Sequence, residues 1–79
     1  MDNVQYVMER LGTAATREDA ECVLTLATQL AAEQSDEGGN IIDWLDNRTY
    51  AWTTLYEAAI GDVAALAYVR DEAGLPVLS

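Results

Sequence analysis

Residues Asn40–Gly61, NIIDWLDNRTYAWTTLYEAAIG, carry the signals of the longest helix that the sequence predicts, and the other predicted helices pack around it. Asn40 is a favoured N-cap residue, and Asp43 brings a carboxylate to the first turn, where free amides and the helix dipole favour negative charge. Gly61 is typical of the position at which a helix ends. We therefore predict one helix over residues 41–60, about 30 Å long.

The side chains of this predicted helix divide into an apolar face and an acidic face. On a wheel of 3.6 residues per turn the apolar side chains share one side, which we expect to pack inward. The opposite side carries three carboxylates and a tyrosine, which we expect to face solvent. The inward residues are Ile41, Leu45, Trp52, Leu55, Tyr56 and Ala59, and the outward residues are Asp43, Asp46, Tyr50 and Glu57.

One arginine of this stretch falls on the apolar side. Arg48 lies four residues from both Trp44 and Trp52, a spacing at which its guanidinium can stack between the two indoles. We interpret this as a structural cation–π contact. An exposed Trp–Arg–Trp binding surface is the alternative, because these residue types are enriched in interface hot spots.

The rest of the chain carries the same kind of helix signals. Asp2 or Asn3, Thr16 and Asp62 stand at predicted N-caps, and Gly12 and Gly74 stand at predicted ends. With the stretch above, the predicted helices are 3–11, 17–34, 41–60 and 63–73. Their short connections predict an all-α fold, a compact bundle of about four helices in a single domain over residues 1–79.

Each of these other predicted helices has an apolar stripe at helical spacing. The stripes are Val4, Val7, Met8 and Leu11; Ala20, Val23, Leu24, Ala27, Leu30 and Ala31; and Val63, Leu66, Ala67 and Val69 or Arg70. Cys22 and Leu26 lie at the edge of the second stripe and widen it toward a further neighbour.

Negative charge is the dominant feature of the composition. Fourteen carboxylates stand against four arginines, with no lysine and no histidine, and the net charge is −10. Binding to DNA or RNA phosphates, or to an anionic membrane, needs the opposite sign of charge. The expected partner is therefore a basic protein surface, chiefly the nucleic-acid site of another protein. The alternative is that the acid serves solubility or a high-salt habitat.

The sequence offers little for catalysis or for a cofactor. Without histidine and lysine the chain lacks the usual general base and the usual phosphate clamp, and no glycine-rich phosphate loop occurs. Zinc lacks ligands, and the acids around Gly38–Gly39 do not match a calcium loop. We expect Cys22 to be a buried or half-buried thiol without reactivity. The prediction is a non-enzymatic protein with no cofactor and no metal.

Acidic residues crowd the ends of two predicted helices, where the dipole disfavours them. Each exposed carboxylate there costs roughly 0.3–1 kcal/mol, so stability alone favours lysine or arginine at such positions. This favours a functional acidic surface. The residues at these ends are Glu33, Asp36 and Glu37 in one helix and Asp71 and Glu72 in the other. The predicted partner-binding set is Asp43, Asp46, Tyr50 and Glu57 together with Glu33, Asp36 and Glu37.

The first residues of the sequence predict neither secretion nor a membrane span. Asp2 follows Met1, no basic segment precedes an apolar core, and no apolar run approaches membrane-spanning length. A lone cysteine fits a reducing compartment. We expect a cytoplasmic protein that neither spans a membrane nor binds to a membrane surface.

In size, acidity, predicted helical content and lack of catalytic residues, the chain resembles the small inhibitors that phages carry against host defences, including DNA-mimicking anti-CRISPR proteins. The resemblance implies that it binds the nucleic-acid groove of a CRISPR effector complex or of another DNA-binding enzyme, in the host cytoplasm. The alternative function is a small helical adaptor or regulator that acts through its apolar faces, and this alternative leaves a homodimer open.

Overall fold

Five α-helices and no strand make up the part of the chain that the computed structural model describes, residues 2–12, 15–34, 40–47 and 52–76. They are α1 (Asn3–Leu11), α2 (Arg17–Glu33), α3 (Ile41–Asp46), α4 (Trp52–Ala59) and α5 (Val63–Glu72). The predicted all-α fold is confirmed. The predicted helices 3–11, 17–34 and 63–73 agree with α1, α2 and α5 to within one residue at their ends.

The prediction of one helix over residues 41–60, and hence of four helices, is wrong. The chain forms α3 and α4 instead, and α3 ends at Asn47, whose amide donates to the carbonyl of Asp43 at 3.1 Å. Asparagine is a weak helix former because its side chain competes for backbone hydrogen bonds. Residues 48–51 lie outside the described residues, and α4 begins at Trp52.

All four predicted N-caps are confirmed. The side chains of Asp2, Thr16, Asn40 and Asp62 each accept a hydrogen bond from a backbone amide in the first turn of their helix. At α2 the contact is reciprocal: Thr16 Oγ1 accepts from the Asp19 amide, and the Asp19 carboxylate accepts from the Thr16 amide, both at 3.1 Å. Local sequence therefore determines where these helices begin.

Two helices end in the same backbone motif. After α5, the Leu75 amide donates to the Arg70 carbonyl at 2.9 Å, and Gly74 has φ 76°. After α4, the Asp62 amide donates to the Glu57 carbonyl at 3.0 Å, with Gly61 at φ 112°. These are Schellman ends, which need a residue in the positive-φ region and so favour glycine. The second one turns the chain directly from α4 into α5.

The core forms around α2, which packs against α1, α3 and α4, while α5 packs chiefly against α4. The second predicted stripe is buried except for Leu24, which is half-buried, whereas the other two stripes are buried only in part. Their half-buried members are Val4, Met8, Leu11, Leu66 and Ala67. Val63 contradicts its prediction, since it is 80% exposed. The fully or nearly buried apolar residues are Val7, Ala20, Val23, Ala27, Leu30, Ala31, Trp44, Leu45, Leu55, Ala58, Ala65 and Val69.

The C-terminal end of α2 links two other helices. The Gln34 side-chain amide donates through Nε2 to the carbonyl of Ala73, at the end of α5. Its Oε1 accepts from the indole N–H of Trp44 in α3 at 2.9 Å. One side chain thus connects α3, α2 and α5.

Candidate protein-interaction surface

The predicted partner-binding residues that the structure describes lie on three helices. Four of them fall in the described part of the chain: Asp43 and Asp46 on α3, Glu57 on α4 and Glu33 at the end of α2. Because α3 and α4 are separate helices, the predicted single acidic stripe does not exist as one helix face. Tyr50, Asp36 and Glu37 lie outside the described residues.

Asp46 is engaged within the molecule. The phenol of Tyr6 on α1 donates to both of its carboxylate oxygens, at 2.8 and 2.9 Å, and this hydrogen bond raises the pKa of Tyr6 above its ordinary value of 10.0. The guanidinium of Arg10 approaches Asp46 at 3.7 Å. The carboxylate therefore fastens α3 to α1, and its charge is already partly neutralised.

Arg10 lies next to the indole of Trp52, a contact that the sequence pattern predicted for Arg48. Its guanidinium carbon lies 5.6 Å from the ring centroid of Trp52 and 5.8 Å from that of Tyr6, and these two rings meet edge to face with centroids 6.4 Å apart. The predicted contact through Arg48 lies outside the described residues. Trp44, the other indole that was predicted to contact Arg48, is buried, and its indole N–H donates a hydrogen bond to Gln34.

Glu33 is the counterion of a buried arginine. Its carboxylate accepts from both terminal nitrogens of Arg70, at 2.7 and 3.1 Å, and the hydrogen bonds from Arg70 lower the pKa of Glu33 below its ordinary value of 4.5. Arg70 is only 5% exposed, and its Nε donates to the Pro76 carbonyl at 2.9 Å. The acid at the C-terminal end of α2 therefore has a structural explanation. The inference of a functional acidic surface from the unfavourable helix dipole did not include it.

Every arginine in the described residues is paired with a carboxylate. Besides Arg10 with Asp46 and Arg70 with Glu33, Arg17 approaches Asp2 at 3.6 Å. Six exposed carboxylates remain that have no cationic partner within the described ranges and cap no helix. They are Glu9, Glu18, Glu21, Asp43, Glu57 and Asp71. The unpaired charge that this part of the surface presents is therefore negative.

Two of these carboxylates border an apolar groove. The groove lies between α2 and the α4–α5 pair, has a volume of about 600 Å³, and is open to solvent. Leu26, Leu66 and the two alanines 58 and 59 supply its apolar surface. Its remaining lining residues are Glu18, Glu21, Cys22, Thr25 and Gln29, all on α2.

The sequence pointed to this groove only in part. The widened stripe at Cys22 and Leu26 predicted a further neighbour, and α4 and α5 do approach, but they leave Cys22 exposed. The expectation of a buried or half-buried thiol is therefore wrong. The sequence did not predict that Glu18 and Glu21 border an apolar groove, because only the packing of three helices places Leu66 in the same groove.

The described residues hold neither a metal-binding cluster nor a membrane-spanning helix. No group of three or more acidic or cysteine side chains there is arranged to hold a metal ion. No helix in the described ranges combines the length and apolar character that a membrane crossing needs.

Comparison with known proteins gives no match: no family model, no curated protein and no solved structure matches the chain.

Proposed function

We propose that this protein is a non-catalytic, acidic interaction protein that occupies a basic nucleic-acid-binding surface of a larger complex. One observation carries the proposal: the arginines of the described residues are each paired with a carboxylate of the same chain, while six other carboxylates stay exposed and unpaired. Attraction to a basic surface is therefore not offset by unpaired positive charge on those residues.

Helices suit this role because they hold carboxylates at fixed positions. A basic groove shaped for nucleic acid presents arginine and lysine at intervals along a phosphate backbone. Carboxylates on rigid helices can pair with such side chains, since arginine binds carboxylate and phosphate with the same forked geometry. Little ordering entropy is lost on the side of the acidic protein.

The specific form that we propose is inhibition of a host defence, in the manner of DNA-mimicking anti-CRISPR proteins of phages. Support comes from the small size, the net charge of −10, the helical fold and the lack of catalytic side chains. The partner is then a CRISPR effector complex or another nucleic-acid-binding enzyme, met in the host cytoplasm.

Affinity capture tests the proposal. The tagged protein is incubated with a lysate of the host, and bound proteins are identified by mass spectrometry and eluted along a salt gradient. We expect a basic nucleic-acid-handling protein that duplex DNA displaces and that salt elutes steeply, because each released ion pair contributes to the salt dependence. Capture of no such protein, or binding that neither DNA nor salt affects, would contradict the proposal.

Two double variants examine which carboxylates take part. D43N/E57Q removes two exposed charges from α3 and α4, and E9Q/D71N removes the same charge from α1 and α5. We expect D43N/E57Q to weaken binding of the captured partner by about three- to tenfold more than E9Q/D71N does, because exposed ion pairs each contribute 0.2–1 kcal/mol. Equal losses would instead assign the effect to overall charge.

A second candidate function, an adaptor that acts through apolar surface, has one observation in its favour. Ile60 is 54% exposed and Val63 is 80% exposed, and both lie at the turn between α4 and α5. An apolar contact of this kind predicts salt-tolerant binding, whereas a basic groove predicts salt-sensitive binding. The salt gradient described above separates the two functions.

A further inference from the structure

The groove between α2 and the α4–α5 pair combines apolar surface with unpaired charge in one place. From this we infer that it receives an amphipathic, lysine- or arginine-bearing helix of a partner protein, whose apolar side chains lie on Leu26 and Leu66 and whose cations pair with Glu18 and Glu21. The inference names the partner segment and the docking site, and it rests on the proposed function.

The apolar part of the groove is incompletely covered. Leu26, Leu66 and Ala59 are half-buried, and Ala58 is buried below them. Because alanine side chains are short, they let another helix approach closely, as they do at interhelical contacts in general. A volume of about 600 Å³ is within the range of sites that bury a ligand or several side chains.

The apolar surface continues beyond the groove along α5. Val63 precedes Leu66 by three residues, so the two side chains lie on the same side of that helix. Val63 is 80% exposed, and Ile60, just before the turn, is 54% exposed. A single inserted side chain would leave most of this apolar strip uncovered. The apolar face of a helix, with contacts one turn apart, would cover it.

The charge at the edge of the groove selects a cationic occupant. Glu18 and Glu21 are three residues apart on α2, both exposed, and neither pairs with a cation in the residues that the structure describes. Arg17, their neighbour in sequence, is paired with Asp2 instead. A partner that supplies lysine or arginine would therefore neutralise two charges that the protein itself leaves unpaired.

The same charge disfavours a second copy as the occupant. Each copy carries a net charge of −10, and the arginines of its described residues are already paired. Docking one copy in the groove of another would bring like charges together at the acidic edge, which costs free energy. A helix fits better than an added strand, because the described residues offer no sheet edge.

Cys22 provides a direct test, because it is the only cysteine of the chain and lines the groove in an exposed position. The probe is a synthetic 18-residue peptide of leucine and lysine, with leucines at i, i+3, i+4 and i+7. The rate at which a thiol reagent modifies Cys22 is measured against peptide concentration. We expect saturating peptide to slow the modification about tenfold or more, and the affected backbone amide signals in NMR spectra to be confined to the groove.

Controls separate specific docking from simple attraction to acid. A peptide of the same composition in scrambled order should give little protection, because it lacks an apolar helix face. The E18Q/E21Q double variant should raise the peptide Kd by about two- to tenfold, whereas E9Q/D71N, with the same change in charge, should alter it less than twofold. V63D, at a highly exposed position, should weaken protection without affecting folding.

Each other outcome overturns the inference. Equal protection by the scrambled peptide would exclude helix recognition, and peptide binding that leaves Cys22 unprotected would place the contact elsewhere. Protection of Cys22 at high protein concentration without peptide would identify a second copy as the occupant. No binding would leave the groove without a basic partner. None of these results affects the capture of a DNA-displaceable protein, so the proposed function succeeds or fails separately.

Discussion

Among single residues, the ion pair between Glu33 and Arg70 shows why charge alone did not distinguish a structural carboxylate from one that is free to bind a partner. Glu33 is an exposed carboxylate like the other described carboxylates of the predicted set, yet it neutralises a side chain that is only 5% exposed. Burying an arginine without a partner is unfavourable, so the pair is needed once Arg70 is inside. This pairing over 37 positions of sequence is a property of packing.

Substitution of Glu33 should destabilise the protein in a pH-dependent way. E33Q leaves Arg70 without its counterion, so we expect a thermal midpoint several degrees below that of the wild type near neutral pH. Because the folded-state pKa of Glu33 lies below 4.5, its contribution is present above that pH and is lost as the pH falls through the lowered pKa. The difference between wild type and E33Q should therefore shrink below about pH 4.5.

Thermal unfolding followed by circular dichroism from pH 3 to 7 would measure this difference, because that range spans the ordinary glutamate pKa of 4.5. The matched control is E9Q, which removes an exposed carboxylate that pairs with no described cation. A loss of stability in E33Q that is the same at every pH would argue against the ion pair.

Tyr6 reports the state of Asp46. The hydrogen bond to Asp46 raises the pKa of the phenol, so the neutral form of Tyr6 is favoured in the folded protein. In D46N we expect the pKa of Tyr6 to fall toward 10.0, measured by NMR titration of its ring signals. The wild type should lose the stabilisation from this hydrogen bond as the pH rises through the raised pKa.

Asp43 supplies the control for this titration. It lies one turn earlier on α3 and is exposed, so D43N changes the same charge without touching the phenol. An equal shift of the Tyr6 pKa in D43N and D46N would show that the cause is overall charge and not the hydrogen bond.

Among the helices, the N-caps could be predicted from the sequence. The division of the longest predicted helix into α3 and α4 could not. Caps depend on a few adjacent residues, and Asp2, Thr16, Asn40 and Asp62 all act as expected. A continuous apolar pattern over residues 41–60 does not distinguish one helix from two, because both can place their apolar residues against the same core. Asn47 is the residue in this range whose type indicates that α3 ends there.

The reciprocal cap of α2 should contribute measurable stability. T16A removes the oxygen that accepts from the Asp19 amide, and we expect the free energy of unfolding to fall by about 1 kcal/mol. T16S keeps the hydroxyl and should recover most of that loss. Urea unfolding of the two variants measures the effect, and a T16S variant as unstable as T16A would show that the methyl group, and not the cap, is responsible.

At the scale of the whole molecule, the net charge of −10 acts on a body with dimensions of 33 × 28 × 19 Å. The Debye length is about 30 Å at 0.01 M salt and about 8 Å at 0.15 M, so at low salt the carboxylates repel one another across the full width of the protein. We expect the thermal midpoint to rise between these two salt concentrations, because screening relieves this repulsion.

Salt-dependent unfolding also examines the high-salt-habitat alternative. The protein should remain folded at 0.01 M salt if its acids serve binding, whereas that alternative predicts unfolding there. E9Q/D71N, which carries two fewer negative charges, should show a smaller rise of the midpoint with salt than the wild type. A midpoint that does not change with salt would show that repulsion among the carboxylates is negligible.

Only part of the candidate surface could be predicted from the sequence. Composition predicted the sign of the charge, and periodicity predicted which residues are exposed, including Asp43 and Glu57. Neither could show that Asp46 accepts a hydrogen bond from Tyr6 or that Glu18 and Glu21 line the same groove as Leu66, because both arrangements join helices that are distant in sequence. The site therefore depends on tertiary packing more than the fold class does.

The double hydrogen bonding of Gln34 implies that the molecule opens in a coupled manner. If α3 detaches, the Gln34 side chain loses its hydrogen bond from the Trp44 indole, and its hydrogen bond to the Ala73 carbonyl weakens. We therefore expect α3 and the last turn of α5 to behave as one cooperative unfolding unit. Native-state hydrogen exchange should then give both segments similar opening free energies. In Q34M, which keeps the side-chain length without the amide, the two values should separate, and unchanged coupling in Q34M would contradict this role of Gln34.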